Sequence, residues 1–148
     1  MAEFTSEIKT IPHCDADIFA VLSDMSNLEQ AKDKIPQNDK IKDFSFDKDS
    51  CTIDVDPIGK VRFVIIDREP NSTIKFEAEH LPVGLNMWIQ LKPASESETK
   101  MKLTIKADLN PFLKPMVSKP LQQGLDKVAD MLATIPYDKI LNKGTIEE

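Results

Sequence analysis

Apolar and polar residues alternate along most of the chain between residues 41 and 109, the pattern of strands that contact water on one face. In the last such segment Met101, Leu103 and Ile105 alternate with lysine and threonine. Short polar turns separate the segments and predict antiparallel neighbours in a single sheet. We predict six strands here, over 41–46, 51–55, 60–68, 73–80, 85–92 and 100–109.

The chain before this region predicts one more strand and two short helices. Over 4–11, Phe4 and Ile8 share one parity while the other parity is polar, which is typical of a half-buried strand. Over 15–25 and 27–34 the apolar residues recur every three to four positions, the period of a helix. A helical region therefore follows the first strand and precedes the rest of the sheet.

One further segment is long enough to cover the apolar face of the sheet, and we predict it as a helix over 111–135. Asn110 can cap this helix and Pro111 fits its first position. Pro120 lies about two turns in, where it removes one backbone hydrogen bond, so we expect a kink or break near Met116. The predicted core-facing stripe is Phe112, Met116, Val117, Leu121, Leu125, Val128, Leu132 and Ile135.

Length and composition indicate one globular domain. The chain has 148 residues, of which 41% are apolar and 30% charged. We predict a domain over 1–140 and a loosely held tail over 141–148. The N-terminus lacks a signal-peptide pattern and no apolar run could span a bilayer, so we expect a cytoplasmic protein without a membrane span. Cys14 and Cys51 are too few for a disulfide framework and predict packed thiols.

The formal net charge of −6 disfavours a nucleic-acid partner, because such a partner would require a local basic face. Lys100, Lys102 and Lys106 share one side of a predicted strand, but acidic residues lie close by. The solvated outer face of the sheet explains these lysines. Trp88 shares the parity of that outer face and is expected there.

The sequence carries no metal-binding or nucleophile motif, and we predict no catalytic residue, metal or cofactor. His13, Cys14 and Asp15 are adjacent at the start of the first helix, but adjacent side chains rarely converge on one point, which favours a cap or loop role. His80 shares the apolar parity of its strand and lies at the strand end. It is either a simply solvated residue or a polar group at the mouth of a pocket.

Two segments resemble the START-like (SRPBCC) superfamily, also called helix-grip, which includes polyketide cyclase-like proteins, lipid-transfer domains and the birch-pollen allergen. The first, IKTIPHCDADIFAVLSDMSNLEQ, is similar to the strand and following helix of that superfamily, with Phe19, Leu22 and Asp24 at the matching places. The second, VRFVIIDREPNSTIKFEAE, is similar to its central hairpin with an acidic-Pro turn. Lys34-Ile35-Pro36 replaces the Trp-Pro pair that commonly follows the first helix, which leaves the ligand entrance undefined.

The resemblance implies an α+β helix-grip fold. A curved antiparallel sheet of about seven strands would wrap around the C-terminal helix, with two short helices between the first two strands. It also implies a cavity between the sheet and the helix that holds a small apolar molecule, such as a lipid, sterol or polyketide, with only some members of the superfamily catalysing reactions. Our first hypothesis is binding or carriage of such a molecule without catalysis. From strand parity and helix spacing we expect its walls among Phe63, Phe76, His80, Met87, Ile89, Met101, Leu103, Ile105, Val117, Leu121, Gly124 and Leu125.

Two other functions remain open. A polyketide cyclase/dehydratase-like enzyme would require acid and base groups inside the cavity, and only His80 is a candidate. A co-chaperone-like interaction module would have a filled core and an exposed patch. Gly124 favours the cavity, because a glycine inside a helix is destabilising and is easier to understand where something approaches closely.

Overall fold

The computed structural model of this protein describes residues 2–34, 41–55, 59–79, 84–135 and 137. The sequence predictions for His80, for Ile35-Pro36 and for the tail 141–148 lie outside these residues. Within them the predicted α+β class is confirmed, with one antiparallel sheet and one long C-terminal helix.

Eight strands, two α-helices and a 3₁₀ helix make up the described fold. The strand order is β1-β8-β7-β6-β5-β4-β3, with β2 also paired to β8, and all the pairs are antiparallel. The strands are β1 Ala2–Thr5, β2 Lys9–Ile11, β3 Ile41–Asp47, β4 Ser50–Val55, β5 Gly59–Glu69, β6 Thr73–Glu79, β7 Leu85–Ser95 and β8 Glu98–Ala107. The helices are α1 Asp15–Leu22, the 3₁₀ helix Met25–Lys34 and α2 Lys114–Ala133.

Helix α2 is the longest helix and lies across the apolar face of the sheet, as predicted. Leu125, Ala129 and Leu132 are buried on its inner side. Its nearest backbone neighbours among the strands are β1, β2 and β8, at one edge of the sheet. The core that it covers is formed by alternate residues of the central strands, among them Ile74, Phe76, Ile89, Met101 and Leu103.

The predicted apolar stripe of this helix is wrong at its N-terminal end. Phe112 is 84% exposed and Met116 is 69% exposed. With 3.6 residues per turn, these two positions fall on the same side as Lys119, away from Leu121 and Leu125. The core-facing stripe therefore begins at half-buried Val117 rather than at Phe112.

The start of the helix is set by the predicted cap. The Asn110 Oδ1 accepts hydrogen bonds from the backbone N–H groups of Phe112 (2.9 Å) and Leu113 (2.8 Å), so the first turn forms before the regular helix begins at Lys114. The expected break near Met116 does not occur, since α2 continues through Pro120. Met116 lies at an exposed position, where water can replace the bond that Pro120 cannot donate.

The first predicted strand is two strands, because Ser6 interrupts it. The backbone N–H of Ser6 donates to the carbonyl of Leu103, but the N–H of Leu103 donates to Ser6 Oγ instead of to a backbone carbonyl (both 2.9 Å). Between the pairs Thr5–Thr104 and Lys9–Met101, the N-terminal segment contains three residues and β8 contains two, so the N-terminal segment has one extra residue. This shift reverses the parity, so Ile8, which was predicted to face the core, is 64% exposed.

The outer face of the sheet carries Trp88, as predicted. The Nζ of Lys75 lies 5.3 Å from the centroid of the indole ring and the Nζ of Lys106 lies 5.7 Å from it. Both distances are in the range of cation–π contacts. Lys75 and Lys106 therefore interact with an aromatic ring of the same sheet. No helix within the described ranges is long and apolar enough to cross a membrane.

Replacing Ser6 with alanine tests the role of its hydroxyl in the β1–β2 interruption. Ser6→Ala leaves the buried N–H of Leu103 without its acceptor, and we expect the free energy of unfolding to fall by about 1–3 kcal/mol. Urea unfolding measures the change, and amide hydrogen exchange should show faster exchange at Leu103. Ser97→Ala, in the exposed turn before β8, is the matched control and should leave both unchanged. Equal stabilities for the two variants would contradict this role.

Candidate functional site

One flank of α2 is fastened to the edge of the sheet where β1 and β2 are interrupted. The side-chain amide of Gln122 donates to the carbonyl of Thr5 (2.9 Å) and to Asp126 Oδ2 (3.2 Å). The Oδ1 of Asp126 in turn accepts from the backbone N–H of Glu7 (3.3 Å). Residues four apart lie on one side of a helix, so Gln122 and Asp126 form a row along this edge.

An ion pair between Lys9 and Asp130 extends the row by one turn. The Lys9 ammonium also lies 3.5 Å from Glu7 Oε2. The hydrogen bond to Asp130 raises the pKa of Lys9 above its usual value, so the lysine is charged at physiological pH. Because this pair is exposed to water, it adds little stability, and its effect is to align α2 with β2.

The other flank of α2 is apolar and borders a cavity. This cavity lies between the C-terminal half of α2, the 3₁₀ helix and the inner faces of β3, β4, β6 and β7. Every described residue that lines it is apolar or a cysteine. The lining residues are Met25, Leu28, Phe46, Cys51, Ile53, Phe76, Met87, Ile89, Val128, Met131 and Leu132.

The cavity is small and apolar. Its volume is about 20 Å³, counted as the space open to the centre of a water molecule. This is room for about one water, which needs two to four polar partners, whereas the described lining offers the weak Cys51 thiol alone. Three methionines border the space, Met25, Met87 and Met131, and their unbranched side chains can rearrange around an apolar guest.

Among the described residues of this lining, Cys51 is the only one that is titratable. Burial in apolar surroundings raises the pKa of its thiol to about 12, and the negative charge of Asp47 acts in the same direction. The thiol is therefore neutral at physiological pH and is a poor nucleophile. The described lining thus provides no acid or base for catalysis.

The structure brings together three of the predicted wall residues, since Phe76, Met87 and Ile89 all line the cavity. Five others are buried in the surrounding core without reaching it: Phe63, Met101, Leu103, Ile105 and Leu125. Val117, Leu121 and Gly124 are half-buried on α2, one to three turns before the cavity. His80 lies outside the described residues.

Sequence reasoning missed the wall that the 3₁₀ helix and the first hairpin provide. Phe46, Cys51 and Ile53 lie on one face of the paired strands β3 and β4, and this parity was visible in the sequence. Met25 and Leu28 are three residues apart, the spacing of one helical face. No sequence signal showed that these two pieces meet opposite α2.

Within the cluster at the start of α1, His13 packs against the chain that follows α2. The rings of His13 and Tyr137 meet edge to face with centroids 5.6 Å apart, and the buried Tyr137 hydroxyl donates to the carbonyl of Leu132 (2.6 Å). The carbonyl of His13 accepts from Thr99 Oγ1 (2.8 Å). These contacts give His13 a structural role in the loop before α1, whereas Cys14 occupies the N-cap position without a side-chain capping hydrogen bond. In the described part of the chain, no three His, Cys, Asp or Glu side chains are grouped closely enough to hold a metal ion.

Comparison of structures finds solved proteins with the same arrangement of strands and helices, whereas comparison of sequences finds no relative. The chain matches no protein-family model and no curated protein sequence. A START superfamily protein from Mycobacterium smegmatis superposes with a TM-score of 0.63 at 15% identity, over 88% of this chain and 94% of that one. A protein from Thermus thermophilus gives a TM-score of 0.62 at 15% identity, over 96% and 99% of the two chains.

Norcoclaurine synthase from Thalictrum flavum, in a complex with dopamine and hydroxybenzaldehyde, gives a TM-score of 0.64 at 17% identity, over 89% of this chain and 85% of the other. In each case nearly the whole chain is covered, so the likeness includes the sheet and the helix that crosses it. Identities this low establish the architecture and no more. The eight-stranded antiparallel sheet and its C-terminal helix give this chain the helix-grip fold of the START-like superfamily.

Proposed function

We propose that the protein binds a small apolar molecule between the sheet and α2, at the cavity bordered by Phe76, Met87 and Val128. The observation that carries this proposal is the lining, whose described residues are all apolar except for one neutral thiol. A site of this kind favours a ligand through burial of apolar surface. The complex of the Thalictrum synthase adds support, because it shows that this fold can hold small aromatic molecules.

The lining also limits the class of ligand. A polar group buried without a hydrogen-bonding partner is destabilising by several kcal/mol in apolar surroundings. The part of the ligand that enters this cavity is therefore a hydrocarbon, either an acyl chain or an unsubstituted ring. A lipid, sterol or polyketide would place its polar end away from Phe76 and Met87.

Binding requires the cavity to enlarge, because about 20 Å³ does not admit such a molecule. Two features allow this. Methionine side chains form part of the wall and repack readily. Helix α2 is held by hydrogen bonds and an ion pair along its Gln122–Asp126–Asp130 flank, so its apolar flank can move outward while that row stays in place.

An interaction module with a filled core is the second candidate, and the small volume of the cavity favours it. The two functions make different demands on the same space. In a carrier, a larger side chain would occupy the space that the ligand needs. In a filled core, the same side chain would find no space and would displace its neighbours. An enzyme is less well supported, because the described lining has no charged group.

Val128→Phe separates these two functions. If the cavity can enlarge around a ligand, the added ring should occupy the enlarged space and abolish binding of the apolar fluorescent probe N-phenyl-1-naphthylamine, while the methionine side chains repack around the ring and the melting temperature changes little. If the space is a filled core, the ring should lower the free energy of unfolding by about 1–3 kcal/mol. Fluorescence titration and thermal unfolding measure the two effects.

Lys127→Phe is the matched control, because Lys127 is the adjacent residue on the exposed side of the same helix. It should bind the probe as the wild type does. Saturable binding by the wild type, lost in Val128→Phe and kept in Lys127→Phe, supports the carrier. Absence of saturable binding by the wild type, together with a destabilised Val128→Phe, would reject it in favour of the interaction module.

The reactivity of Cys51 provides a second test, in a Cys14→Ser background that leaves one thiol. With a pKa of about 12, roughly one thiol in ten thousand is ionised at pH 8, against about a quarter for an ordinary cysteine. We expect alkylation by iodoacetamide at pH 8 to be at least about 100-fold slower in the folded protein than in urea.

The rate should rise about tenfold per pH unit towards pH 11 while the protein stays folded, since only the thiolate reacts. A bound apolar molecule should slow it further by covering the thiol. Alkylation of the folded protein as fast as in urea would show that Cys51 is not enclosed. The double variant Cys14→Ser, Cys51→Ser, which has no thiol, corrects for any reagent effect on the rest of the chain.

A further inference from the structure

We infer that the N-terminal turn of α2 docks on the surface of an anionic lipid membrane, with Phe112 and Met116 entering the interface between headgroups and acyl chains. This goes beyond the proposed function and does not depend on it. Docking concerns the outer side of the helix, whereas the cavity lies on its inner side near the C-terminal end.

The first observation is the exposure of two large apolar side chains on one side of one turn. Phe112 is 84% exposed and Met116 is 69% exposed. The bonds from Phe112 and Leu113 to Asn110 Oδ1, and from the Lys114 N–H to the Asn110 carbonyl (3.0 Å), make this a helical turn. Residues four apart therefore lie side by side, and the two side chains project together.

The second observation is the charge around this pair. Between Asp108 and Asp126, the segment from residue 109 to residue 125 contains two lysines and no acidic residue, in a chain whose net charge is −6. Lys114 and Lys119 are both exposed, and Lys119 lies one turn after Met116 on the same side of the helix. Apolar side chains flanked by lysines complement an anionic membrane, whose headgroups attract the lysines and whose acyl chains accept the apolar groups.

The size of this patch favours a membrane over a protein partner. A stable protein interface buries roughly 800 Å² on each side and is built around a packed core of several residues. Two projecting side chains at the start of a helix do not provide such an area. They suit shallow insertion, in which the bilayer adapts to the side chains and needs no complementary shape.

Co-sedimentation with vesicles tests the inference. We expect the wild-type protein to pellet with vesicles of phosphatidylcholine containing about a third phosphatidylserine, and much less with phosphatidylcholine alone. The double variant Phe112→Ala, Met116→Ala should bind roughly tenfold more weakly or worse, because it removes the apolar area that enters the interface. Ile8→Ala is the matched control, since Ile8 is also an exposed apolar residue but lies outside this turn, and it should bind as the wild type does.

The lysines are tested in the same assay. Lys119→Gln should weaken binding about fivefold, whereas Lys127→Gln, two turns further along the exposed side, should have little effect. Raising the salt concentration should weaken binding of the wild type more than that of Lys119→Gln. Equal losses in the two lysine variants would indicate a nonspecific charge effect and overturn the inference.

A tryptophan probe distinguishes insertion from adhesion. The chain has one tryptophan, so Phe112→Trp in a Trp88→Phe background places a single indole at the docking turn. Its emission should shift to the blue on addition of the anionic vesicles and should be quenched by lipids with brominated acyl chains. Ile8→Trp in the same background should show neither effect.

Three further results would overturn the inference: no pelleting of the wild type, full pelleting of the double alanine variant, or an unshifted emission at position 112. Thermal unfolding of the double alanine variant, measured in parallel, checks that the fold is intact, whether or not the cavity binds a ligand. Binding of N-phenyl-1-naphthylamine without vesicles is measured separately, so failure of docking is distinguished from failure of ligand binding.

Discussion

The structure depends on how α2 is fastened to the sheet. Gln122, Asp126 and Asp130 recur every four residues, so they form one row that meets the interrupted edge between β1 and β2. The interruption itself arises from Ser6, whose hydroxyl takes the place of a backbone acceptor in the ladder. A local irregularity in the first strand thereby aligns one flank of α2 with the edge of the sheet, while burial of the apolar face of the helix on the core supplies the stability.

Fastening along one flank leaves the other flank of α2 against apolar side chains in the described lining of the cavity, and this difference determines what the candidate site can do. Contacts among Val128, Met131 and Met87 have no preferred direction, so they can be exchanged for contacts with an apolar guest. Cys51, the titratable group among the described lining residues, is kept neutral by its burial. The same surroundings that favour an apolar ligand therefore disfavour acid, base or nucleophilic chemistry.

The two ends of α2 serve different purposes. The C-terminal half buries Leu125, Ala129 and Leu132, while the N-terminal turn projects Phe112 into water. Exposing an aromatic ring to water is unfavourable. At this turn the ring lies beside a second exposed apolar side chain and between lysines, which distinguishes it from a single exposed apolar residue. If both proposals hold, one helix joins a membrane-facing end to a ligand-facing end, with no change of fold between them.

The sequence by itself determined the class of fold, because alternation with a period of two and a long segment with a period near 3.6 report directly on which faces are buried. It also identified Asn110 as a cap and Trp88 as an outer-face residue, since both follow from local spacing. Tertiary structure alone decided that Ser6 reverses the parity at Ile8 and that Phe112 and Met116 leave the core stripe. It also decided that Met25, Phe46 and Cys51 meet opposite Val128. These outcomes depend on contacts between residues that are distant in the chain. The Ser6 hydroxyl bonds to the N–H of Leu103, and the 3₁₀ helix lies opposite α2 across the cavity. No pattern within one segment encodes such contacts.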